Sequence, residues 1–422
     1  MKRDSVVLGK EYILSGDEVG VSRPNNNILI VGTSGSGKST SVVLPTIMLM
    51  KYSNPIMSYA KPQDARNMAV YLQSRGYHIQ ILDLECPEKS TISFDPILSI
   101  ECWADIDALA SAIVNMTIRQ TNDDYWQLKA KSLLSALITA ALRTAGGNPR
   151  MTDVLSLFDN LLPTETGYGA CVQTPADNFW KELEVMVPDC PSIRKFKFWK
   201  YLSEKTASCV RDTLAGVLDA FFPESVRIAM SEKPQFDAAK FVSGKNALIL
   251  ISNAAEPTQQ CYANLFYRET MHQLLKYAAN RPSGELPREV RYILEDFACT
   301  IPMSGIAHDL SLFRSAGMSA ILLLQSEGQL DAVYREEASI IRQNCAAYAY
   351  FPGGFDDKSC EIVSKRMGIP YEEVLCAPLG KVFVIQSGKK PVHIPRFDTL
   401  HCIEYAKYLK VVHSQKHTAH KC

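Results

Sequence analysis

The distribution of apolar residues changes character twice along this chain. In the first hundred residues, short apolar runs alternate with segments whose apolar residues recur at three- and four-residue spacing. The runs predict strands at Ile28–Gly32, Pro55–Tyr59 and Tyr77–Leu82, and the segments between them predict helices at Ser39–Met50 and Asp64–Arg75. This alternation is typical of a parallel sheet with helices on both faces.

The middle of the chain has a helical pattern. Between about Ser99 and about Gln235, strand-like runs are rare and the helical spacing dominates. The spacing predicts helices at Ala104–Arg119, Tyr125–Ala145, Thr152–Leu161, Asn178–Met186 and Lys205–Phe222. We therefore predict an all-α domain, residues 100–235, inserted between strands of the first domain.

Strand–helix alternation resumes after residue 236. Further strands are predicted at Asn246–Ser252, Val290–Leu294, Met318–Gln325, Ala346–Phe351 and Lys381–Gln386. Helices are predicted at Gln259–Ala279, Ile306–Ser315 and Asp357–Arg366. Residues 1–99 and 236–422 are thus expected to form one α/β domain around a largely parallel sheet.

The loop after the first predicted strand indicates a ligand. It fits the pattern G-x-x-x-x-G-K-[ST], in which backbone N–H groups cradle the phosphates of a nucleotide and the next helix directs its positive end at them. The residues predicted to bind the nucleotide are Gly32, Thr33, Ser34, Gly35, Ser36, Gly37, Lys38, Ser39 and Thr40. Lys38 is expected to reach the β- and γ-phosphates, and the Ser39 hydroxyl to bind Mg²⁺. The alternative is an ordinary glycine-rich turn.

Composition excludes several classes of protein. The chain has 422 residues, 46% of them apolar, and a formal net charge of zero, so any contact with nucleic acid must come from local patches. Its twelve cysteines include no C-x-x-C pair, which argues against a disulfide framework or a zinc ribbon and fits thiols held reduced in a cytoplasm. No apolar run reaches the roughly 18 residues that span a bilayer. We expect a soluble chain.

Two acids close the predicted strand Val290–Leu294. A phosphate-binding loop that hydrolyses its nucleotide also needs a carboxylate near the Mg²⁺ and a group that orients the attacking water. Glu295 and Asp296 are the candidates, because burying two adjacent acids unpaired in a core is costly. The alternative is a solvated start of a loop.

Two further polar residues lie downstream. Gln325 ends a predicted strand at the edge where open parallel sheets bind ligands, and it is placed to sense the γ-phosphate or to hold water. Arg314 precedes that strand. It is either a solvated surface residue or, in a ring, an arginine that reaches the nucleotide of a neighbouring subunit and stabilises the transferred phosphoryl group.

The order of these motifs resembles the type IV secretion coupling proteins, the TraG-like ATPases of bacterial conjugation. The resemblance covers about residues 25–397. The segments that carry it are Asn25–Ser39, Gly76–Leu84, Phe94–Pro96, Asp124–Trp126, Leu294–Ala298, Leu323–Ser326 and Gln329–Leu330. The phosphate-binding loop alone is shared by many families, whereas the ordered set is far more specific.

The resemblance implies a RecA-like P-loop NTPase domain with an inserted all-α domain, ATP and Mg²⁺ as ligands, and a homohexameric ring. It implies catalytic roles for Lys38, Glu295, Asp296, Arg314 and Gln325, with Ser39 and Glu295 around the metal. The implied partners are single-stranded DNA, a relaxase, and secretion channel components at the inner membrane. The implied location is cytoplasmic, peripheral to the inner face of that membrane.

The chain departs from the family pattern in three ways. Glu295 stands where the family has the Mg²⁺-shell aspartate, and Asp296 where it has the water-orienting glutamate, so each carboxylate moves by about 1.5 Å. Tyr59 replaces an aspartate, although Lys61 is kept. The family begins with membrane-spanning helices, and the sequence has no such segment. ATP binding is expected to survive these changes, and fast hydrolysis is in question.

Two other functions compete with a coupling ATPase. One is a related ring motor that pumps double-stranded DNA, against which the all-α insertion argues. The other is a nucleotide-binding adaptor that docks secretion substrates with little or no turnover, which the inverted acids favour.

A basic stretch interleaved with aromatic residues is a candidate for DNA contact. It contains Arg194, Lys195, Lys197, Lys200 and Lys205 together with Phe196, Phe198, Trp199 and Tyr201. The same pattern fits a helix that packs its aromatic residues and solvates its lysines, which we favour.

Overall fold

The computed structural model describes residues 2–15, 25–117, 125–144, 146–161, 175–230, 233–253, 255–299 and 301–419. The predicted positions Arg119, Asp124 and Ala145 lie outside these ranges. The chain forms two compact units. The first contains residues 1–92, 236–255 and 270–422, and the second contains residues 93–235 and 256–269.

The strands of the described residues all belong to the first unit. They are β1 (Val6–Gly9), β2 (Tyr12–Leu14), β3 (Ile28–Gly32), β4 (Asn54–Tyr59), β5 (His78–Asp83), β6 (Asn246–Ile251), β7 (Val290–Leu294), β8 (Met318–Leu324), β9 (Ala347–Phe351), β10 (Lys381–Gln386) and β11 (Val392–Pro395). β1 and β2 form a separate antiparallel pair. The other nine form one sheet in the order β11-β10-β9-β3-β8-β7-β4-β6-β5.

Seven neighbouring strands of this sheet, from β9 to β5, run parallel. β10 and β11 extend the sheet with antiparallel pairings. Every residue of β3, β7 and β8 is buried, as expected for parallel strands covered by helices on both faces. The register is fixed by pairs such as Leu294 with Leu322. The predicted α/β class with a parallel-rich sheet is therefore confirmed.

Helices connect the strands and fill the second unit. They are α1 (Leu44–Leu49), α2 (Pro62–Ser74), α3 (Trp103–Thr117), α4 (Tyr125–Thr144), α5 (Met151–Asp159), α6 (Pro175–Met186), α7 (Pro191–Lys200), α8 (Glu204–Phe221), α9 (Glu224–Ala229), α10 (Ala238–Ser243), α11 (Pro257–Ala279), α12 (Ile306–Ala316), α13 (Glu327–Tyr334), α14 (Glu337–Gln343), α15 (Asp357–Met367), α16 (Tyr371–Leu375) and α17 (Ile403–Ala419). A π-helical turn, Ser39–Val43, leads into α1.

Local sequence explains where the helices near the sheet edge begin and end. Pro62 lies in the first turn of α2, where its fixed φ suits the helix, and Asp64 adds an acid near the positive helix end. α12 ends at Gly317, which adopts the left-handed backbone that closes many helices. These boundaries set which residues lie at the carboxyl ends of the strands.

The second unit is organised around α4. This helix packs against α3, α5, α7 and α8, and its run from Leu133 to Ala141 is buried throughout. In the same unit, Phe94 packs against the rings of Tyr262 and Phe266. Each large apolar side chain buried in this way contributes about 1.5–3 kcal/mol. Across the described ranges, no helix is both long enough and apolar enough to cross a bilayer.

Candidate functional site

The loop between β3 and the π-helical turn depends on glycines at tightly packed or left-handed positions. Gly32 lies so close to Phe351 that a Cβ would come within 2.7 Å of its carbonyl oxygen. Gly37 has φ of +93°, a left-handed conformation that glycine adopts readily. A Cβ there would lie 2.5 Å from Arg396 Nη1. The backbone contact therefore requires glycine at position 32, and the left-handed backbone favours it at position 37.

Lys38 folds over this loop. Its ammonium donates hydrogen bonds to the carbonyl oxygens of Gly32 and Thr33, the second at 3.0 Å. Burial lowers the pKa of Lys38, and the nearby carboxylates of Asp296 and Glu295 act in the opposite direction. The loop cation and the two acids are thus within electrostatic reach of one another.

Glu295 meets the loop through Ser39. It follows β7 directly, and its N–H donates to Ser58 Oγ at 3.1 Å. The Ser39 side chain lies close enough to the Glu295 carboxyl to lower its pKa. Burial raises the pKa of Glu295 to about 7, helped by Asp296, while Ser39 and Lys38 act to lower it. The structure therefore brings together the hydroxyl and the carboxylate predicted to surround Mg²⁺.

Asp296 and Gln325 form the second half of this arrangement. Gln325 follows β8, and its side-chain amide donates to Asp296 Oδ1 at 3.4 Å. Asp296 has φ of +55°, which few residues other than glycine adopt and which aspartate tolerates better than most. Such backbone strain is concentrated at functional sites. Both residues lie at the carboxyl edge of the sheet, as predicted.

Arg314 lies apart from these residues. It is exposed in the last turn of α12, which leads into the amino end of β8, whereas Gln325 follows the carboxyl end of the same strand. Its carbonyl oxygen accepts a hydrogen bond from Arg3 Nη2 at 3.0 Å. The fold does not bring Arg314 to the loop of its own chain.

The other predicted loop residues hold the loop in place. The Thr33 hydroxyl donates to the Gly353 carbonyl oxygen, and the Thr40 hydroxyl donates to the Gly37 carbonyl oxygen at 3.1 Å. Ser34 and Gly35 are exposed, and Ser36 is buried. Together these contacts fix the loop against β9 and the start of the following helix.

Three residues at the site were missed by sequence reasoning. Ser58 accepts a hydrogen bond from the Glu295 N–H, as described above. Arg396 Nη1 donates to the Ser36 carbonyl oxygen at 3.3 Å, and the Thr399 hydroxyl donates to the Thr40 carbonyl oxygen. Each of these contacts joins residues more than 230 positions apart in the chain, so no local pattern signals them.

Tyr59, which replaces an aspartate of the family pattern, lies within electrostatic reach of Glu295. Burial raises the pKa of Tyr59 well above its ordinary value, and the Glu295 carboxylate adds to the effect. Asp64 also acts to raise the pKa of Glu295. The tyrosine therefore makes the surroundings of Glu295 more apolar than an aspartate would.

Most of the basic and aromatic stretch lies in α7, with Tyr201 just after that helix and Lys205 in α8. Phe196 and Trp199 are buried, and Phe196 stacks on Trp180 with ring centroids 4.2 Å apart. The lysines of α7 pair with acids: Lys195 with Asp107, Lys197 with Glu184 and Lys200 with Asp177. Phe198 and Tyr201 remain exposed. Two of the four aromatic side chains in the stretch are therefore packed in the unit, and three of its lysines are held in ion pairs.

Comparison with known proteins identifies the family. The sequence model of the family described as type IV secretory system conjugative DNA transfer matches residues 2–369. Among curated protein sequences, none matches this chain.

Several solved structures of the plasmid coupling protein TrwB are similar to this chain. The unbound bacterial conjugative coupling protein TrwBΔN70 has a TM-score of 0.65 at 16% identity, covering 90% of this chain and 86% of that one. TrwB with the non-hydrolysable ATP analogue ADPNP has a TM-score of 0.63 at 18% identity, covering 88% and 84%. TrwB with ADP and Mg²⁺ has a TM-score of 0.62 at 17% identity, with the same coverage.

These similarities confirm the RecA-like P-loop NTPase fold, and the family match agrees with the resemblance read from the sequence motifs. The match extends over most of the chain and includes the loop, the acidic pair and Gln325. The protein therefore belongs to the type IV secretory system family for conjugative DNA transfer.

Proposed function

We propose that this protein is an ATP-driven motor that recruits single-stranded DNA, bound to a relaxase, and moves it into a type IV secretion channel. The proposal rests on the positions of Ser39, after the loop that follows β3, and Glu295, at the end of β7, which lie close enough for Ser39 to lower the pKa of the Glu295 carboxyl. This proximity joins the end of the phosphate-binding loop to the end of β7, as a site for nucleotide and metal requires. Family membership supports the DNA cargo.

The donor set fits Mg²⁺. This ion prefers oxygen ligands and keeps several waters, so that one hydroxyl and one carboxylate beside the phosphates suffice. The similar TrwB structures contain ADPNP, or ADP with Mg²⁺. When bound, the ion neutralises charge that develops on the phosphates. In this chain Ser39 and Glu295 would hold it.

The remaining residues have separate roles in the proposed reaction. The N–H groups of the loop cradle the phosphates, and Lys38 shifts from the carbonyl oxygens of Gly32 and Thr33 to the β- and γ-phosphates. Asp296 orients the attacking water. Gln325, which donates to Asp296, senses the γ-phosphate.

Arg314 acts on the nucleotide of a neighbouring subunit in a homohexamer. Its exposed position at the opposite end of β8 from Gln325 supports this role over one in its own site. The first unit forms the motor, and the second unit forms the all-α domain, which we predicted from sequence at residues 100–235. The ring works in the cytoplasm at the inner face of the membrane, against components of the channel.

Steady-state ATP turnover with and without DNA tests the proposal. Single-stranded DNA should stimulate turnover in the unmodified protein, and Lys38→Ala should abolish it. Lys240→Ala is the matched control, since the Lys240 side chain is 83% exposed and pairs only with Asp237 among its described neighbours. Stimulation by duplex DNA alone would favour a double-stranded DNA pump instead.

A nucleotide-binding adaptor is the second candidate. The inverted acids support it, because Glu295 has a pKa raised to about 7 and Asp296 has a strained backbone. Acids displaced by about one bond slow hydrolysis, whereas the loop that cradles the phosphates is unchanged. Retained ATP binding with no turnover under any DNA condition would favour the adaptor over the motor.

A further inference from the structure

The phosphate-binding loop has two unlike sides. β8 and β7 lie on one side of β3 in the sheet and carry Gln325, Glu295 and Asp296 at their ends. β9 lies on the other side, followed by β10 and β11. Since Glu295, Asp296 and Gln325 take the β8 side of the loop, the β9 side is the one left for the nucleoside end of a nucleotide held by the loop.

Two turns form an apolar corner on that side. The turn after β9 contacts the loop, since the Thr33 hydroxyl donates to the Gly353 carbonyl oxygen. Phe355, two residues further on, is 100% exposed. The turn before β10 presents Leu379, which is 76% exposed and whose Cδ2 lies 3.5 Å from where a Cβ of Gly353 would stand. Two large apolar side chains are thus exposed beside the loop.

Arg396 adds a planar cation to the same corner. Its N–H donates to the carbonyl oxygen of Gly380, next to Leu379, at 2.9 Å. Its guanidinium donates to the Ser36 carbonyl oxygen at 3.3 Å. The arginine therefore links the turn before β10 to the phosphate-binding loop and keeps a fixed position between them.

We propose that this corner, formed by Phe355, Leu379 and Arg396, binds the nucleobase of the nucleotide. The inference rests on the proposed function, because it assumes that the loop holds the phosphates. An aromatic ring, an aliphatic side chain and a guanidinium plane offer stacking and cation–π contacts to any base. The site accordingly binds adenine and guanine with similar affinity, since stacking does not read the hydrogen-bonding edge of a base.

Calorimetric titration with ATP, GTP and inorganic tripolyphosphate, each with Mg²⁺, tests this assignment. Phe355→Ala should weaken ATP and GTP binding roughly 5- to 100-fold, the effect of removing one base-stacking aromatic residue. It should leave tripolyphosphate binding unchanged, because tripolyphosphate has no base. Phe355→Trp should retain ATP affinity. Phe198→Ala is the matched control, as Phe198 is an exposed phenylalanine of the second unit.

Each other outcome has a distinct meaning. Unchanged ATP affinity in Phe355→Ala, or an equal loss for tripolyphosphate, would overturn the assignment and leave the proposed function intact. A change of particle size with unchanged ATP affinity would also overturn it, in favour of an interface between copies. If the unmodified protein bound neither ATP nor tripolyphosphate, the proposed function itself would fall, and the nucleobase site with it.

Discussion

Glu295 is the residue whose environment matters most for the proposed chemistry. The nearby Ser39 side chain acts to lower the pKa of Glu295, yet burial dominates and raises it to about 7 from an ordinary 4.5. Near neutral pH, a substantial fraction of the folded chains therefore carries a protonated Glu295. A metal ligand must be ionised, so the proton competes with Mg²⁺ for this carboxylate.

This competition predicts a pH dependence of nucleotide binding. The affinity for Mg²⁺–ADP should rise with pH, by up to about tenfold per pH unit below 7, and level off above it. Calorimetry over this range measures the effect, and Glu295→Gln should flatten the profile. An unmodified protein with a flat profile would contradict the role of Glu295.

The same pKa shift also affects folding. Because the pKa of Glu295 is raised in the folded chain, its contribution to stability is fully present below pH 4.5 and is lost as pH rises through about 7. In the absence of nucleotide, the free energy of unfolding measured in urea should therefore fall less between these pH values in Glu295→Gln than in the unmodified protein. An identical pH profile for the two proteins would argue against the raised pKa.

Exchanging the two acids tests whether their inversion limits turnover. Glu295→Asp combined with Asp296→Glu should raise kcat by roughly ten- to a hundredfold, since it moves each carboxylate back by about one bond. The exchange should also lower stability by about 1 kcal/mol, because glutamate tolerates the left-handed backbone of position 296 less well than aspartate does. Turnover assays and urea unfolding measure the two effects. An unchanged kcat would mean that the inversion is not the limitation.

At the scale of elements, the segment before β1 is fixed to the amino edge of the sheet by buried ionic contacts. The fully buried Arg291 in β7 pairs with Glu289 at 3.0 Å and donates to the Asp4 carbonyl oxygen at 2.7 Å. The Asp4 carboxylate in turn accepts from the N–H groups of residues 51, 52 and 53. This network joins three distant parts of the chain.

Breaking the network should destabilise the first unit. Arg291→Ala leaves Glu289 buried without its cation and is expected to cost about 3–5 kcal/mol. Urea denaturation followed by fluorescence measures the loss, with Lys240→Ala as an exposed control. A loss below about 1 kcal/mol would show that Arg291 contributes no more than a surface ion pair.

The elements differ in how far the sequence predicts them. β3, β7 and β8 are continuous apolar runs, so local composition alone marks them and places Gly32, Glu295 and Gln325 at one edge. β1 and β2 together contribute only seven residues, and their place depends on contacts with distant residues. α17 extends from Ile403 to Ala419, where no helix was predicted because the sequence has little helical periodicity.

The candidate site likewise contains residues that local sequence predicts and residues whose contacts depend on the fold. The loop pattern is local and was predicted residue by residue, and the structure places Lys38, Ser39, Glu295, Asp296 and Gln325 near one another. The contacts of Ser58, Arg396 and Thr399 depend on the folding of the chain, because their partners are hundreds of residues away. A sequence read without its fold contains no signal for such supporting contacts.

At the scale of the whole molecule, Arg314 makes the proposal depend on assembly. If Arg314 serves the neighbouring site, the Arg314→Ala variant should bind ATP with normal affinity. Its kcat should fall by a factor on the order of 10³ or more. Mixing Arg314→Ala chains with Lys38→Ala chains should restore turnover, because an intact Lys38 site would receive Arg314 from the other chain. Particle size by light scattering with ATP and Mg²⁺ would accompany the assay. A stable monomer, or no recovery on mixing, would remove this role.

Movement along DNA is the most direct measure of the central claim. Streptavidin bound to one end of a biotinylated single strand is displaced by a motor that advances along that strand. The unmodified protein should displace it with ATP but not with a non-hydrolysable analogue, and Lys38→Ala should not displace it at all. ATP turnover stimulated by DNA without any displacement, or equal displacement by Lys38→Ala, would contradict the proposal that hydrolysis at this site moves DNA.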